Sequence, residues 1–341
     1  MKLDFCEVFD DYTSRCRKIP KEEYLSNGKY IVIDQGKNSI AGYTNVDDGL
    51  FEDVPAIVFG DHTRIIKYVD EPFFLGADGV KLLKSKIKDA NYKYLYYALR
   101  NARIPDTGYN RHFKWLKEIS LEYKDAESQK NIVKILDTVT NIIELCKAEL
   151  SELDNLIKAR FVEMFGDIKA NPYGFEKMAL KDTCTVITGN TPSRSVPEYY
   201  GDSIEWIKTD NIVSGRLSPS QALEYLSDEG IKVGRTVEKG AILMACIAGS
   251  VESIGRVCVT DRKVAFNQQI NAIVPEDYDT LFLHTMLQLS KEYLVEEINM
   301  ALKGILSKSK LEGKEFIVPS IEQQEQFAPF VAQVNKSKVE V

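Results

Sequence analysis

The chain has 341 residues, 44% hydrophobic and 28% charged, with a net charge of −7. That is room for two ordinary domains and a globular composition, which excludes a disordered chain. The acidic balance excludes a uniformly basic nucleic-acid binder, so any phosphate-facing surface must come from segregated Lys and Arg.

No apolar run approaches the roughly 18 residues that span a bilayer, and Met1-Lys2-Leu3-Asp4-Phe5 opens no signal-peptide core. The six cysteines are scattered at 6, 16, 146, 184, 246 and 258. They show no Cys-x-x-Cys and no cluster with histidine. This predicts reduced thiols in a cytoplasm and no structural zinc. Basic stretches at Arg15–Lys18, Lys81–Lys88 and Lys303–Lys314 are compatible with a phosphate-facing surface but are more often simply a solvated face.

Residues 1–124 read as mixed and rich in strands. Tyr30–Ile33, Ala56–Phe59, Arg64–Val69 and Gly79–Leu83 are β-branched runs bounded by Gly, Asn, Asp and Pro. One helix is predicted near Tyr92–Asn101, where Tyr and Leu recur at helical spacing.

Residues 125–166 differ. Apolar positions at 132, 135/136, 139, 142/143, 146, 150, 153 and 157 form a heptad seam uninterrupted by Gly or Pro. Asp125 suits the N-cap and Gly166 the stop. A 40-residue helix would be roughly 60 Å long, and its stripe requires a partner helix.

Residues 167–320 repeat the first domain's logic. Thr185–Thr188 and Ile204–Ile207 read as strands, Ala241–Ala245 answers Ala56–Phe59, and Gly255–Val259 answers Ile65–Val69. A helix near Leu281–Tyr293 answers that near residue 92. The helix openings Glu127-Ser128-Gln129 and Glu322-Gln323-Gln324 stand at a constant offset of 195 residues (127 to 322, 139 to 334). The last helix, 321–341, is about half as long as the central one. It is the natural antiparallel partner for that seam, and its abrupt end suggests a shortened distal region.

Catalytic signatures are not found. There is no glycine-rich cofactor loop and no Gly-x-x-x-x-Gly-Lys-Ser/Thr. The three histidines lack metal-ligand spacing. Asn171-Pro172-Tyr173-Gly174 is one proline short of an amine-methylation motif and reads as a turn.

Several strings resemble the specificity subunit of type I restriction–modification enzymes. In the first domain these are Ile33-Asp34-Gln35-Gly36-Lys37, Ile40-Ala41-Gly42-Tyr43, Val58-Phe59-Gly60-Asp61-His62-Thr63-Arg64, Gly76-Ala77-Asp78-Gly79-Val80 and Gly108-Tyr109-Asn110-Arg111-His112-Phe113-Lys114. In the second they are Ile187-Thr188-Gly189-Asn190-Thr191-Pro192-Ser193, Trp206-Ile207-Lys208-Thr209-Asp210-Asn211-Ile212, Asn267-Gln268-Gln269 and Leu306-Ser307-Lys308-Ser309-Lys310-Leu311. Their order and the duplication together are specific, although each string alone is weak.

The resemblance implies an α+β fold with two similar strand-rich target-recognition domains separated by long antiparallel coiled-coil helices. The boundaries expected are 1–124, 125–166, 167–320 and 321–341. It implies a non-catalytic bacterial or archaeal subunit that reads a bipartite, asymmetric double-stranded DNA site. Two methyltransferase subunits would bring S-adenosylmethionine, and restriction–translocase subunits would bring ATP and Mg. No cofactor is expected on this chain and no membrane contact. Self-association is an option if the distal helix is shortened. Successive major-groove turns lie about 34–36 Å apart, which a spacer helix of this length can bridge.

Base edges are read by Arg, Lys, Asn, Gln, Ser and Thr on loops. The candidates are His62, Thr63, Arg64, Tyr109, Asn110, Arg111, His112 and Lys114 in the first domain. In the second they are Thr191, Ser193, Arg194, Ser195, Lys208, Asn211, Asn267, Gln268, Gln269, Ser307, Lys308 and Lys310. His62 has a second reading as a capping histidine satisfied by Asp61, Tyr109 as core, and Asn267–Gln269 as turn supports. Lys308 and Lys310 suit phosphates, which position without specifying. Two rival functions stay open: an interaction scaffold without DNA contact, and a fused methyltransferase or nuclease.

Overall fold

Short runs of branched and aromatic residues, each cut off by Gly, Asp or Pro, are too brief for helices and fold instead into small sheets. The computed structural model describes residues 1–76, 78–108, 110–296 and 304–340. The chain divides into two units, Met1–Ile143 and Glu144–Val341.

The first unit runs β1 (Lys2–Asp4), α1 (Phe5–Val8), β2 (Phe9–Asp11), β3 (Lys18–Ile19), β4 (Tyr30–Ile33), β5 (Gly42–Thr44), β6 (Ala56–Gly60), β7 (Ile66–Val69), β8 (Phe73–Gly76), β9 (Val80–Ser85), α2 (Tyr92–Arg100), α3 (Phe113–Leu116), β10 (Ser120–Glu122) and the start of α4 (Ala126–Phe165). One sheet has the antiparallel order β2-β9-β6-β7, and a second, β3-β8-β4-β5, contains parallel pairs. Strand β6 shows how they share a core. Its side chains alternate, so Ile57 and Phe59 pack with Phe5, Leu95, Leu99 and the Ile132–Val133 turn of α4. Ala56 and Val58 face the other way, onto Ile31, Phe73 and Leu75 of the second sheet.

The second unit repeats this plan with β11 (Lys177–Ala179), α5 (Leu180–Thr183), β12 (Cys184–Thr188), β13 (Tyr200–Ile207), β14 (Tyr225–Leu226), α6 (Asp228–Val233), β15 (Thr236–Val237), β16 (Ile242–Ala245), β17 (Val257–Val259), β18 (Val264–Phe266), β19 (Ile270–Pro275), α7 (Thr280–Leu289), α8 (Lys291–Val295), α9 (Lys308–Glu312), β20 (Glu315–Ile317) and α10 (Ile321–Glu340). Its sheets are β12-β19-β16-β17 and β14-β13-β18-β15, with β11 paired to β20 as β1 is to β10. Strand β16 alternates like β6: Ile242 and Met244 face the helices. Leu243 and Ala245 face Ile207, Val264 and Phe266.

The long helix obeys its sequence signals. Asp125 accepts from the Ser128 N–H at 2.9 Å and from its hydroxyl at 2.6 Å, which caps the first turn. Gly166 takes a left-handed φ of +74°, which ends the helix. In the second unit, α10 lies antiparallel to the end of α4. Phe327 meets Phe165 with ring centroids 5.6 Å apart, and Lys338, eleven residues on, pairs with Asp154. Phe161, Phe165, Phe282 and Phe327 form the aromatic centre of this packing. The expected seam is therefore covered at its last position, Ile157, and the helix continues past it with buried Phe161 and Phe165. In the first unit Ile135, Val139, Ile142 and Ile143 of the same helix stay about half open to solvent or more. Among the described residues no helix is long and apolar enough to cross a membrane. Residues 171–174 do form a turn, with the Gly174 N–H donating to the Asn171 carbonyl at 3.0 Å.

Candidate nucleic-acid interface

In each unit three loops meet through the same pair of backbone hydrogen bonds. In the first, the Asp61 N–H, just past β6, donates to the Gly79 carbonyl just before β9 at 2.7 Å. The Asp61 carbonyl in turn accepts from the His112 N–H ahead of α3 at 2.8 Å. In the second, the Cys246 N–H past β16 donates to the Gln269 carbonyl before β19 at 2.8 Å. The Cys246 carbonyl accepts from the Leu306 N–H ahead of α9 at 2.9 Å. The junction is made of backbone, so the side chains on it are free to differ between the units.

The first junction gathers most of its unit's candidates. The Asp61 carboxylate accepts from the Phe113 N–H at 2.7 Å and so caps α3. Gln35 braces the turn from the second sheet: its Oε1 accepts from the His62 N–H at 3.2 Å, and its carbonyl accepts from the Thr63 hydroxyl at 2.7 Å. Gly79 is required here. Its φ is +82°, and a Cβ would stand 2.7 Å from both Gln35 and His62. Arg64 adopts φ +61°, a left-handed conformation costly for a non-glycine residue. Its guanidinium donates to Asp106 at 2.7 Å and to the Ile104 carbonyl at 3.5 Å, which ties the β6–β7 turn to the loop bearing Asn110 and Arg111. The Gly108 N–H bond and then Arg64 hold the Asp106 carboxyl below the usual range. Asn110, Arg111 and Lys114 are exposed, with Lys114 turned over the Trp115 ring. Tyr109 lies outside the described residues.

In the second unit Gly189 lets the β12–β13 loop touch β18, since a Cβ there would lie 2.2 Å from the Asn267 carbonyl oxygen. The loop then carries Thr191, whose hydroxyl bonds Gln268, and the paired hydroxyls of Ser193 and Ser195, 2.7 Å apart. Arg194 lies over Tyr200 and Trp206 with its guanidinium carbon 4.3 and 5.2 Å from the two ring centroids. Lys208 approaches Trp206 at 5.0 Å. Asn211 faces inward to the turn: its Oδ1 accepts from the Lys208 N–H at 2.9 Å, and its Nδ2 donates to the Gln221 carbonyl at 3.0 Å. Ser307 caps α9 by accepting from the Lys310 N–H at 3.3 Å, and Lys308 pairs with Glu312 at 3.4 Å.

Two candidates sit inside the protein rather than at its surface. His112 is 1% exposed, with Nδ1 3.0 Å from the Asp61 carbonyl oxygen and Nε2 3.3 Å from the Thr107 hydroxyl. Asn267 is 5% exposed; its Oδ1 accepts from the Gln269 N–H and its Nδ2 donates to the Gln269 side chain, both at 3.1 Å. Both hold loops in place, which buried polar groups must do to stay satisfied. Reasoning from sequence gave Gln35 and Glu224 no role and named Asp61 only as a partner for His62, whereas its carboxylate caps α3 at Phe113. Glu224 binds both Arg194 and Lys208 but stands 30 residues from the first, beyond any local pattern. Tyr200 and Trp206, aromatics beside an arginine, were the available signal.

The two units thus share one α+β scaffold and one backbone junction, with different polar side chains on the loops around it. The chain belongs to the family of the type I restriction modification DNA specificity domain, whose model matches residues 3–155 and 172–341. Among individual relatives, the type I restriction enzyme HindI specificity subunit of Haemophilus influenzae is 32% identical over 147 residues, covering 41% of this chain and 31% of that one. The MjaIX specificity subunit of Methanocaldococcus jannaschii is 27% identical over 168 residues, covering 48% and 38%. The matched stretches thus span about a third of those relatives' lengths. In fold, the chain is similar to the crystal structure of the type I restriction–modification S subunit from M. genitalium. The TM-score is 0.62 at 15% identity, over 100% of this chain and 90% of that one.

Proposed function

We propose that this chain is the non-catalytic DNA-reading subunit of a type I restriction–modification complex and that each unit reads one half of a split, asymmetric duplex site. The observation that carries this is the backbone junction common to both units, dressed with different side chains in each. A shared frame with private chemistry is what two different half-sites require. Arg111 and Asn110 in the first unit, and Arg194 and Gln268 in the second, supply donors suited to guanine and adenine edges. Lys308 and Lys310 serve phosphates.

The subunit docks two methyltransferase subunits, which bring S-adenosylmethionine to adenine. Restriction–translocase subunits add ATP- and Mg-dependent cleavage. The open apolar positions on α4 suit such subunits or a second copy of the chain. A binding test with the methyltransferase subunits present decides the DNA assignment. Arg111→Ala is expected to cost about 1–3 kcal/mol and to relax preference in one half-site only. Equal loss on every duplex would make Arg111 a phosphate anchor, and no duplex binding by the wild type would favour an interaction scaffold.

A further inference from the structure

The second unit holds one cation unlike the other surface arginines. Arg194 is sandwiched by chemistry on two sides, with aromatic faces from Tyr200 and Trp206 and an anion from Glu224. The Glu224 carboxylate divides its work. Oε2 accepts from Arg194 and Oε1 from Lys208. Every part of the frame is itself fixed. The Tyr200 hydroxyl donates to the Pro192 carbonyl at 2.6 Å, and the Trp206 indole N–H to the Asn190 carbonyl at 3.3 Å. The Trp206 backbone N–H donates to the Glu224 carbonyl at 3.0 Å, which sets Glu224 in register with the stacking ring. The Lys208 bond, opposed by partial burial and reinforced by Arg194, holds the Glu224 carboxyl below the usual range, so it is an anion at neutral pH.

A free arginine must freeze several torsions before it can read a base; a stacked and pinned one has already done so. Only part of the five-donor guanidinium is engaged by Glu224, and the Arg194 side chain is still 56% exposed. A plain phosphate anchor needs none of this, because a flexible cation serves as well. Two cations on one carboxylate also leave the cluster with a positive excess.

We propose that Glu224 is a positioning residue for base recognition: it pins Arg194 against Tyr200 and Trp206 so that the remaining guanidinium N–H groups address a guanine edge in the second unit's half-site. This rests on the DNA-reading assignment above.

The test is selection of bound sequences from a random duplex pool by the assembled subunit with its methyltransferase partners. Wild type, Glu224→Gln, Glu224→Asp and Arg194→Ala are compared. A well-placed bidentate pair discriminates by roughly 5- to 150-fold. Glu224→Gln is expected to lower the preference at one G·C pair of one half-site about tenfold, with the other half-site and the salt dependence unchanged. Arg194→Ala should erase the same base pair, and Glu224→Asp, which keeps the charge, should restore most of it. The proposal is overturned if Glu224→Gln tightens binding to all duplexes alike with a steeper salt dependence, because Glu224 would then merely mask charge. Unchanged preferences overturn it too. A wild type that selects no sequence defeats the DNA-reading assignment itself, an outcome distinct from a wild type that selects normally while the variants do not differ.

Discussion

The two units solve one structural problem with different side chains. The first fills its junction with polar groups: the Asp61 carboxylate, the His112 ring and the Gln35 amide bond one another's loops. The second fills it with Cys246, buried Leu306 and an Asn271 amide that donates to the Cys246 sulfur at 3.2 Å. Desolvation pushes the Cys246 thiol up to about 12, which makes it an inert packing group and no nucleophile. Backbone bonds carry the frame in both, so the frame survives a complete exchange of its side chains.

The helix-facing sides differ as well. In the second unit Phe282 of α7 touches Phe161, Phe165 and Phe327, with centroids 5.5, 4.8 and 6.4 Å away. The matching position in the first unit is Tyr94, counted from the helix caps Asn91 and Asp279; its hydroxyl donates to the Glu122 carbonyl. Around it the first unit is tied to α4 by polar bonds. Burial pushes Asp137 up, but bonds from the Tyr97 hydroxyl at 2.6 Å and Lys93 at 3.0 Å outweigh it and hold the carboxyl low.

This contrast can be broken by measuring each unit's stability separately. Trp115 reports on the first unit and Trp206 on the second. Phe282→Ala should destabilise the second unit by about 3–5 kcal/mol, because the three remaining rings cannot close the gap. Denaturant unfolding followed at Trp206 should shift while that at Trp115 holds. A shift at both would show that the aromatic centre supports the whole chain.

A smaller effect is expected from His284. It is 3% exposed, deep in the second unit. Burial depresses its pKa from 6.5 to about 4 against a smaller opposing bond with the Val257 backbone, and the nearby Lys338 adds to the depression. Asp154, Arg216 and Gln288 line the same small cavity. A depressed value means the folded state refuses a proton that the unfolded state accepts. Its contribution is therefore intact above pH 6.5 and lost as pH falls toward 4, by about 3 kcal/mol at most. His284→Leu should flatten the pH dependence of the second unit across that window, and an unchanged slope would remove His284 from the account. The least effect belongs to the first unit, where Tyr94→Phe removes one hydrogen bond worth about 1 kcal/mol.

Much of the frame was legible in the sequence. Asp125 and Gly166 delimit α4 because capping chemistry is local, and the repeat in Glu127–Gln129 and Glu322–Gln324 marks the two helix starts. Strands β6 and β16 were legible by their branched runs. The second sheets were less so, since strands such as Lys18–Ile19 or Thr236–Val237 are too short to show a period. The seam of α4 reads as continuous, yet periodicity says only which face is apolar, not what covers it. Ile157, Phe161 and Phe165 are buried while Ile135 and Ile142 are not. The site was legible as loops and residue types. It was not legible as partners, because the links Arg64 to Asp106, Thr191 to Gln268 and Arg194 to Glu224 cross 30 to 77 residues.

The claim at the centre is that the two heads act on separate bases. Selection from a random duplex pool with Arg111→Ala and Arg194→Ala, alone and combined, tests it directly. The expected result is a wild-type site in two parts, one part degraded by each single variant and both by the double. A single uninterrupted site, or two variants that erode the same base pairs, would contradict it.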